Sequence, residues 1–159
     1  MSENPPSLAE TIVRNGTVID GAGGPGMRAD VAIADGRIAA LGDLSATRAE
    51  REIDAARRVV APGFIDVHTH DDRALLSSPE MVMKVSQGVT TVVIGNCGIS
   101  LSPLDLNHPP PPPMDILGGP DWYRFPTVGA YRAQLEATPP ALNVAMLIGH
   151  STLRLGAMD

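Results

Sequence analysis

Two histidines at the end of an apolar stretch are the residues most suited to chemistry. His68 and His70 follow Gly63–Val67, which has the composition of a short strand. Side chains two apart on a strand point to the same side, so both imidazoles can converge on one point. Neutral imidazoles bind Zn²⁺, whereas two surface histidines ending a strand would have no such role. The strand placement and the acidic pair Asp71-Asp72 favour a metal site.

A single cysteine follows the next apolar stretch. Cys97 lies in Gly95-Asn96-Cys97-Gly98, directly after the β-branched run Val89–Ile94. Its thiolate would be a strong zinc ligand, although a lone cysteine is commonly an inert core residue. The flanking glycines allow a sharp turn, and adjacent parallel strands end at one edge of a sheet. We therefore predict His68, His70 and Cys97 as metal ligands, with Zn²⁺ as the cofactor.

Four other polar residues are candidates for supporting roles. Asp71 and Asp72 could orient the histidines through ring N–H contacts, or simply cap the next element. Asn96, beside the cysteine, is a candidate for supporting the ligands or contacting substrate. His150 follows a third apolar strand, and it has either such a role or that of a buried, hydrogen-bonded histidine. His108 is expected to be exposed.

The first third of the chain has the pattern of a small β domain. Within residues 9–61, Asn15-Gly16 and Asp35-Gly36 each separate β-branched stretches, which predicts two tight hairpins. We expect a β-sandwich-like domain here, preceded by a disordered N-terminus at residues 1–8.

From residue 62 onward, strands alternate with helices. Strands are expected at 63–67, 89–94 and 143–148. Helices are expected at 79–87, with Ser78 as the N-cap, and at about 127–137, beginning at Thr127. This alternation predicts an α/β fold with a parallel sheet.

A proline tract interrupts the pattern at residues 108–114, with five consecutive prolines. It is either a stiff linker between domains or an ordered loop near the active site. We favour the loop, because connections after barrel strands commonly carry function.

Length and composition narrow the class of protein. The chain has 159 residues, of which 43% are hydrophobic, and a net charge of −6. The acidic balance argues against a nucleic-acid partner, and no apolar run is long enough to span a membrane. One cysteine excludes an internal disulfide, and no signal peptide is visible. We therefore expect a cytoplasmic protein with no membrane partner.

Several motifs resemble one enzyme family. Val60–His70 is similar to the first metal motif of the metal-dependent amidohydrolase superfamily. Lys84–Ser100, with its Gly-Asn-Cys-Gly, more narrowly resembles the D-aminoacylases, the N-acyl-D-amino-acid deacylases. Further similar motifs are Pro112–Gly118, Asp121–Phe125 and Gly149–Arg154. The resemblance covers nearly the whole chain from Asn15 onward.

This resemblance implies a small β domain followed by a (β/α)₈ TIM-type barrel with its active site at the carboxyl ends of the strands. It implies that Cys97 ligates zinc, that His68 and His70 contribute to an adjacent metal position, and that the substrate is an N-acyl-D-amino acid. Two more histidines and the catalytic aspartate are expected beyond Asp159. Residues 62–159 hold roughly three of the eight units, so the barrel is expected to be incomplete here.

Two other functions are also compatible with these residues. One is an amidohydrolase that acts on cyclic amides or deaminates bases, although many such relatives bridge their metals with a carboxylated lysine. The other is a truncated, non-catalytic fragment. For the deacylase itself, we expect the fragment alone to be inactive and to depend on the rest of the barrel or on a partner chain.

Overall fold

The computed structural model describes residues 8–158. The chain divides into two compact units with the boundary between Pro62 and Gly63. The expected disordered N-terminus lies outside the described residues, except for Leu8, which begins the first strand. No helix in the described chain is both long enough and apolar enough to cross a membrane.

The first unit is one five-stranded sheet built around its first strand, β1. This strand pairs antiparallel with β2 and parallel with both β4 and β5, while β3 lies beyond β2. The strands are β1 (Leu8–Val18), β2 (Met27–Ala34), β3 (Arg37–Gly42), β4 (Arg48–Asp54) and β5 (Val59–Val60). All five strands belong to one hydrogen-bonded sheet, so the expectation of a sandwich of two sheets was wrong for the described residues.

The two predicted hairpin turns have different outcomes. Asp35-Gly36 joins β2 to β3, and both residues have positive φ angles, which confirms this hairpin. The prediction at Asn15-Gly16 was wrong, because β1 runs through it with a shift in register. Asn15 has a φ of 63°, and its N–H donates to Asp30 Oδ1 at 2.9 Å. The left-handed conformation that asparagine favours therefore serves a bulge here instead of a turn.

The second unit contains a parallel three-stranded sheet of order β10-β7-β6. A short antiparallel pair, β8 with β9, lies apart from it. The strands are β6 (Phe64–Asp66), β7 (Val89–Ile94), β8 (Leu104–Asp105), β9 (Arg124–Phe125) and β10 (Asn143–Met146). The helices are α1 (Asp72–Ser77), α2 (Val82–Val85), α3 (Val128–Ala137) and α4 (His150–Met158). Strands and helices therefore occur together in an α/β unit.

The helix predictions were accurate for α3 and inaccurate before β7. The Thr127 side chain accepts a hydrogen bond from Ala130 N–H, which confirms the predicted N-cap of α3. The helix expected at 79–87 is reduced to α2, and α1 before it was not predicted. Ser78 was expected to be the N-cap of this helix, but it is the C-cap of α1, and Pro79 follows between the two helices.

A continuous apolar core lies between the sheet and the helices of the second unit. Tyr123, Tyr131 and Leu75 are among its fully buried side chains. Both tyrosine hydroxyl groups donate to backbone carbonyls, of Met114 and Asp72 respectively. The two largest polar side chains of the core therefore have partners, as buried hydroxyls require.

The first unit allows a matched test of its packing. Ile12 is fully buried in β1, whereas Ile38 in β3 is 65% exposed. We expect Ile12→Ala to lower the free energy of unfolding of this unit by about 2–5 kcal/mol, because it leaves a cavity. Ile38→Ala should change it by less than about 0.5 kcal/mol. Urea unfolding followed by amide hydrogen exchange measures both, and equal effects would contradict the packing described.

Candidate metal centre

Parallel pairing places the ends of β6 and β7 at one edge of the sheet. Asp66, the last residue of β6, is in register with Val92, two residues before β7 ends at Ile94. The segments that continue from these strands carry His68 and Cys97. A backbone hydrogen bond from Thr69 N–H to Val93 carbonyl, at 3.3 Å, joins the two segments beyond β6.

Three predicted ligands meet at this edge. His68, His70 and Cys97 each offer one ligand atom, and these atoms all lie within 4.8 Å of one another. His68 Nε2 is 2.9 Å from Cys97 Sγ. The two imidazole rings are 5.9 Å apart between centroids and inclined at 75°, so they face one point from different directions.

The donor set fits a zinc ion. Imidazole nitrogen and thiolate sulfur are the ligands that zinc prefers, with bonds of about 2.0–2.3 Å. A spread of 4.8 Å is comparable to twice such a bond, so one ion can be reached by all three residues. His70 Nδ1 is buried and has no hydrogen-bond partner among residues 8–158. A buried nitrogen without a partner is unfavourable unless a further group binds it.

The loop that carries Cys97 depends on a close approach between backbones. Gly95 has a φ of 80°, and a Cβ there would lie 2.0 Å from the carbonyl oxygen of Leu147. Any other residue at 95 would push the ends of β7 and β10 apart. Asn96 turns its side chain back to donate to Val93 carbonyl at 2.7 Å. Cys97 itself has a φ of 55° and is exposed.

A buried hydroxyl pair fastens the other end of this loop. Ser100 N–H donates to Thr152 Oγ1 at 2.9 Å, and the Thr152 hydroxyl donates to Ser100 carbonyl at 3.0 Å. Ser100 Oγ accepts from Gly149 N–H at 3.1 Å. Ser100 and Thr152 are both buried, so water does not compete for these bonds. The loop around Cys97 is thereby fixed to the start of α4.

A lysine pairs with the acidic residues on either side of the histidines. Lys84 Nζ is 2.6 Å from Asp66 Oδ2 and 3.0 Å from Asp71 Oδ2. Desolvation opposes the charge of Lys84, but the two carboxylates outweigh it and raise the lysine pKa above its usual value. The hydrogen bond from Lys84 in turn lowers the pKa of Asp66.

Asp72 connects the segment that carries His68 and His70 to the loop that carries Cys97. Its carboxylate accepts from Leu101 N–H at 3.3 Å, and the side chain is buried. Desolvation raises the pKa of Asp72 to about 6. Neither Asp71 nor Asp72 hydrogen-bonds an imidazole in the described chain, and Asp71 precedes α1 without a side-chain cap bond. Asp71 stands at the N-cap position of α1, and the carboxylates of Asp71 and Asp72 contact Lys84 and Leu101 N–H respectively.

The remaining candidates lie outside the three-residue cluster. His150 is exposed at the start of α4, and its role beside substrate or ligands stays a prediction. A Cβ at Gly98 would lie 3.8 Å from His150 N, which places the backbone of His150 beside the cysteine loop. His108 is exposed, as expected. The proline tract lies within the second unit and so does not connect the two units.

Two contributors were missed in the sequence. Lys84 could have been found by composition, since it is the only lysine of the chain. The Ser100–Thr152 pair has no signal in the sequence, because serine and threonine at such a separation are common and only the fold brings them together.

Comparison with known proteins places this arrangement in a family. A model of the amidohydrolase family matches residues 51–159. An N-acyl-D-aspartate deacylase of Alcaligenes xylosoxydans xylosoxydans is 50% identical over 157 residues, which cover 99% of this chain and 31% of the relative.

Two solved structures are also similar. One is a D-aminoacylase with a binuclear metal centre that shows one-metal activation and second-metal attenuation. Its TM-score is 0.90 at 54% identity, covering 95% of this chain and 32% of that one. The other is the N-acyl-D-glutamate deacylase of Bordetella bronchiseptica, complexed with zinc and a phosphonate inhibitor. Its TM-score is 0.88 at 46% identity, covering 96% of this chain and 32% of that one.

These relatives are longer proteins, and the chain spans about a third of their length. The similarity nevertheless includes nearly all of this chain, and it confirms the resemblance predicted from the motifs. Since the family model covers more than half of its residues, the chain belongs to the amidohydrolase family, and it is similar there to D-aminoacylases and N-acyl-D-amino-acid deacylases.

Proposed function

We propose that this chain supplies the first metal-binding part of a zinc-dependent enzyme that hydrolyses the amide bond of N-acyl-D-amino acids. The observation that carries the proposal is the convergence of His68, His70 and Cys97 within 4.8 Å. Of the three similar proteins named above, two are N-acyl-D-amino-acid deacylases by name and one is a D-aminoacylase. One of the deacylases was solved with zinc.

The architecture proposed for this function is the start of a (β/α)₈ barrel. Strands β6, β7 and β10 are parallel neighbours in one sheet, and helices lie between them along the chain. Active sites of such barrels lie at the carboxyl ends of the strands, which is where the cluster lies. We propose residues 9–61 as a separate small β domain and residues 62–159 as the beginning of the barrel.

In this proposal, Cys97, His70 and His68 each contribute differently to metal binding. Cys97 contributes a negative thiolate, which offsets part of the charge of a divalent ion. His70 contributes from a half-buried position and His68 from an exposed one. A bound zinc ion would supply Lewis acidity toward the substrate carbonyl and toward water. The aspartate expected beyond Asp159 would accept the proton from water and donate it to the leaving amine.

The single lysine argues against a centre bridged by carboxylated lysine within these residues. Carboxylation requires a neutral amine and adds a negative charge. Lys84 Nζ is already held between the carboxylates of Asp66 and Asp71, which favour the ammonium form. This disfavours the alternative of a cyclic-amide hydrolase whose bridging group would come from this part of the chain, and it leaves Cys97 as the candidate.

Replacing the cysteine is the first test of the metal centre. In the protein that carries this chain, we expect Cys97→Ala to weaken zinc binding at least about 100-fold, since even groups that only support zinc ligands contribute about 10–100-fold. Deacylation of N-acetyl-D-amino acids should fall with it. Metal content by mass spectrometry measures the first effect, and His108→Ala is the control that should keep both.

Replacing His68 should affect zinc binding differently from replacing Cys97. We expect His68→Ala to reduce turnover while the more tightly held zinc remains, because the resemblance assigns this histidine to the adjacent metal position. Cys97→Ala should remove both. Zinc stoichiometry determined beside the turnover number separates the cases. Complete loss of zinc from the His68 variant would contradict this division of roles.

Metal removal tests the reaction itself. Treatment with a chelator should abolish hydrolysis of N-acetyl-D-amino acids, and added Zn²⁺ should restore it, because the carbonyl would lose its Lewis acid. The corresponding L-amino acids are the matched substrates and should react much more slowly. Activity that survives exhaustive chelation would exclude the proposed mechanism. Equal rates for the two enantiomers would exclude the proposed substrate class.

A further inference from the structure

We infer that Lys84 is a positioning residue for the metal centre: its ammonium group holds the segment Asp66–Asp71 in the shape that brings His68 and His70 to Cys97. The inference deepens the proposed function and rests on it for the role of the two histidines. The contacts that support it are independent of any metal.

Lys84 contacts the histidine segment at three places that surround the two ligands. Its Nζ lies 2.6 Å from Asp66 Oδ2, 3.2 Å from Thr69 Oγ1 and 3.0 Å from Asp71 Oδ2. One contact precedes His68, one falls between the histidines and one follows His70. A single ammonium group therefore contacts three side chains of one short segment, with hydrogen bonds to Asp66 and Thr69 and an ion pair with Asp71.

The segment after Asp66 lacks the regular hydrogen bonds between strands that would otherwise orient its side chains. The strand β6 ends at Asp66, so the alternation of strand side chains does not extend to His68 and His70. Beyond Asp66, the backbone bond from Thr69 N–H to Val93 carbonyl is long, at 3.3 Å. The convergence of the two imidazoles thus depends on side-chain contacts, and Asp66 also accepts from His68 N–H through its other oxygen at 3.2 Å.

Charge explains why the lysine is needed. Both carboxylates are held around one ammonium group, and their side chains are only 28% and 18% exposed. Without the lysine, two partly buried negative charges would face each other without compensation. Removing one partner from such a group is strongly unfavourable, because the remaining charges are left in a poorly solvated place. The segment would then open to separate Asp66 from Asp71.

The side-chain contacts of Lys84 are with the segment Asp66–Asp71 and not with its own helix, α2. The other side chains of α2 are exposed, with Val82 at 64% and Met83 at 48%. Lys84 extends from this short surface helix to the segment between β6 and α1. A substitution at Met83 alters the same helix without touching the contacts, so it provides a matched control.

The test compares Lys84→Met, Lys84→Arg and Met83→Ala in the full protein. Zinc affinity is measured by competition with a chromophoric chelator, and amide exchange at Thr69 is measured in the metal-free protein. We expect Lys84→Met to weaken zinc binding at the position that His68 and His70 supply by about 10–100-fold and to speed exchange at Thr69. Lys84→Arg, which keeps the charge, should recover part of the affinity, and Met83→Ala should match the wild type.

The outcomes separate this inference from the proposed function. Wild-type zinc affinity and exchange in Lys84→Met would overturn the positioning role and leave the metal centre standing. A wild-type protein that binds no zinc would overturn the metal centre, and exchange at Thr69 would then decide the positioning role alone. If Lys84→Met does not fold, Asp71→Asn replaces it, since it removes one contact and retains those to Asp66 and Thr69. It should weaken zinc binding, and an unchanged affinity and exchange rate would contradict the inference.

Discussion

Parallel pairing between β6 and β7 brings the candidate site together. Because the two strands run in the same direction and end at the same edge, the segments after Asp66 and Ile94 continue side by side. An antiparallel pairing would have sent them to opposite ends of the sheet. The helices between the strands make the parallel arrangement possible, and the core beneath them keeps the strands in place.

Beyond the strand ends, two different devices keep the ligands in position. On the cysteine side, the backbone itself is constrained: Gly95 lies against Leu147 carbonyl, and the Ser100–Thr152 pair closes the loop. On the histidine side, the constraint is electrostatic, through Lys84 and its two carboxylates. A packed backbone is insensitive to salt and pH, whereas a partly exposed ion-pair network responds to both. The histidine side is therefore the adaptable part of the cluster.

The sequence was sufficient to single out the three residues that the fold brings together and insufficient to explain how they are oriented. His68, His70 and Cys97 were recognisable because each follows an apolar strand, and their types match a zinc ion. Their orientation was attributed to strand alternation, but β6 is only three residues long and ends before His68. The ion pairs that replace the ladder join residues up to 18 positions apart. Such contacts follow from the tertiary fold and leave no local pattern. The same holds for Asn15-Gly16, where a local turn preference was overridden by the pairing of β1 with three other strands.

The central claim is that Cys97 and the two histidines bind one metal centre. X-ray absorption at the zinc edge of the loaded protein tests it most directly, because sulfur and nitrogen scatter at different distances. We predict one sulfur ligand at about 2.3 Å together with nitrogen ligands at about 2.0–2.1 Å in the unsubstituted protein. A spectrum of the unsubstituted protein with only nitrogen and oxygen ligands would contradict it.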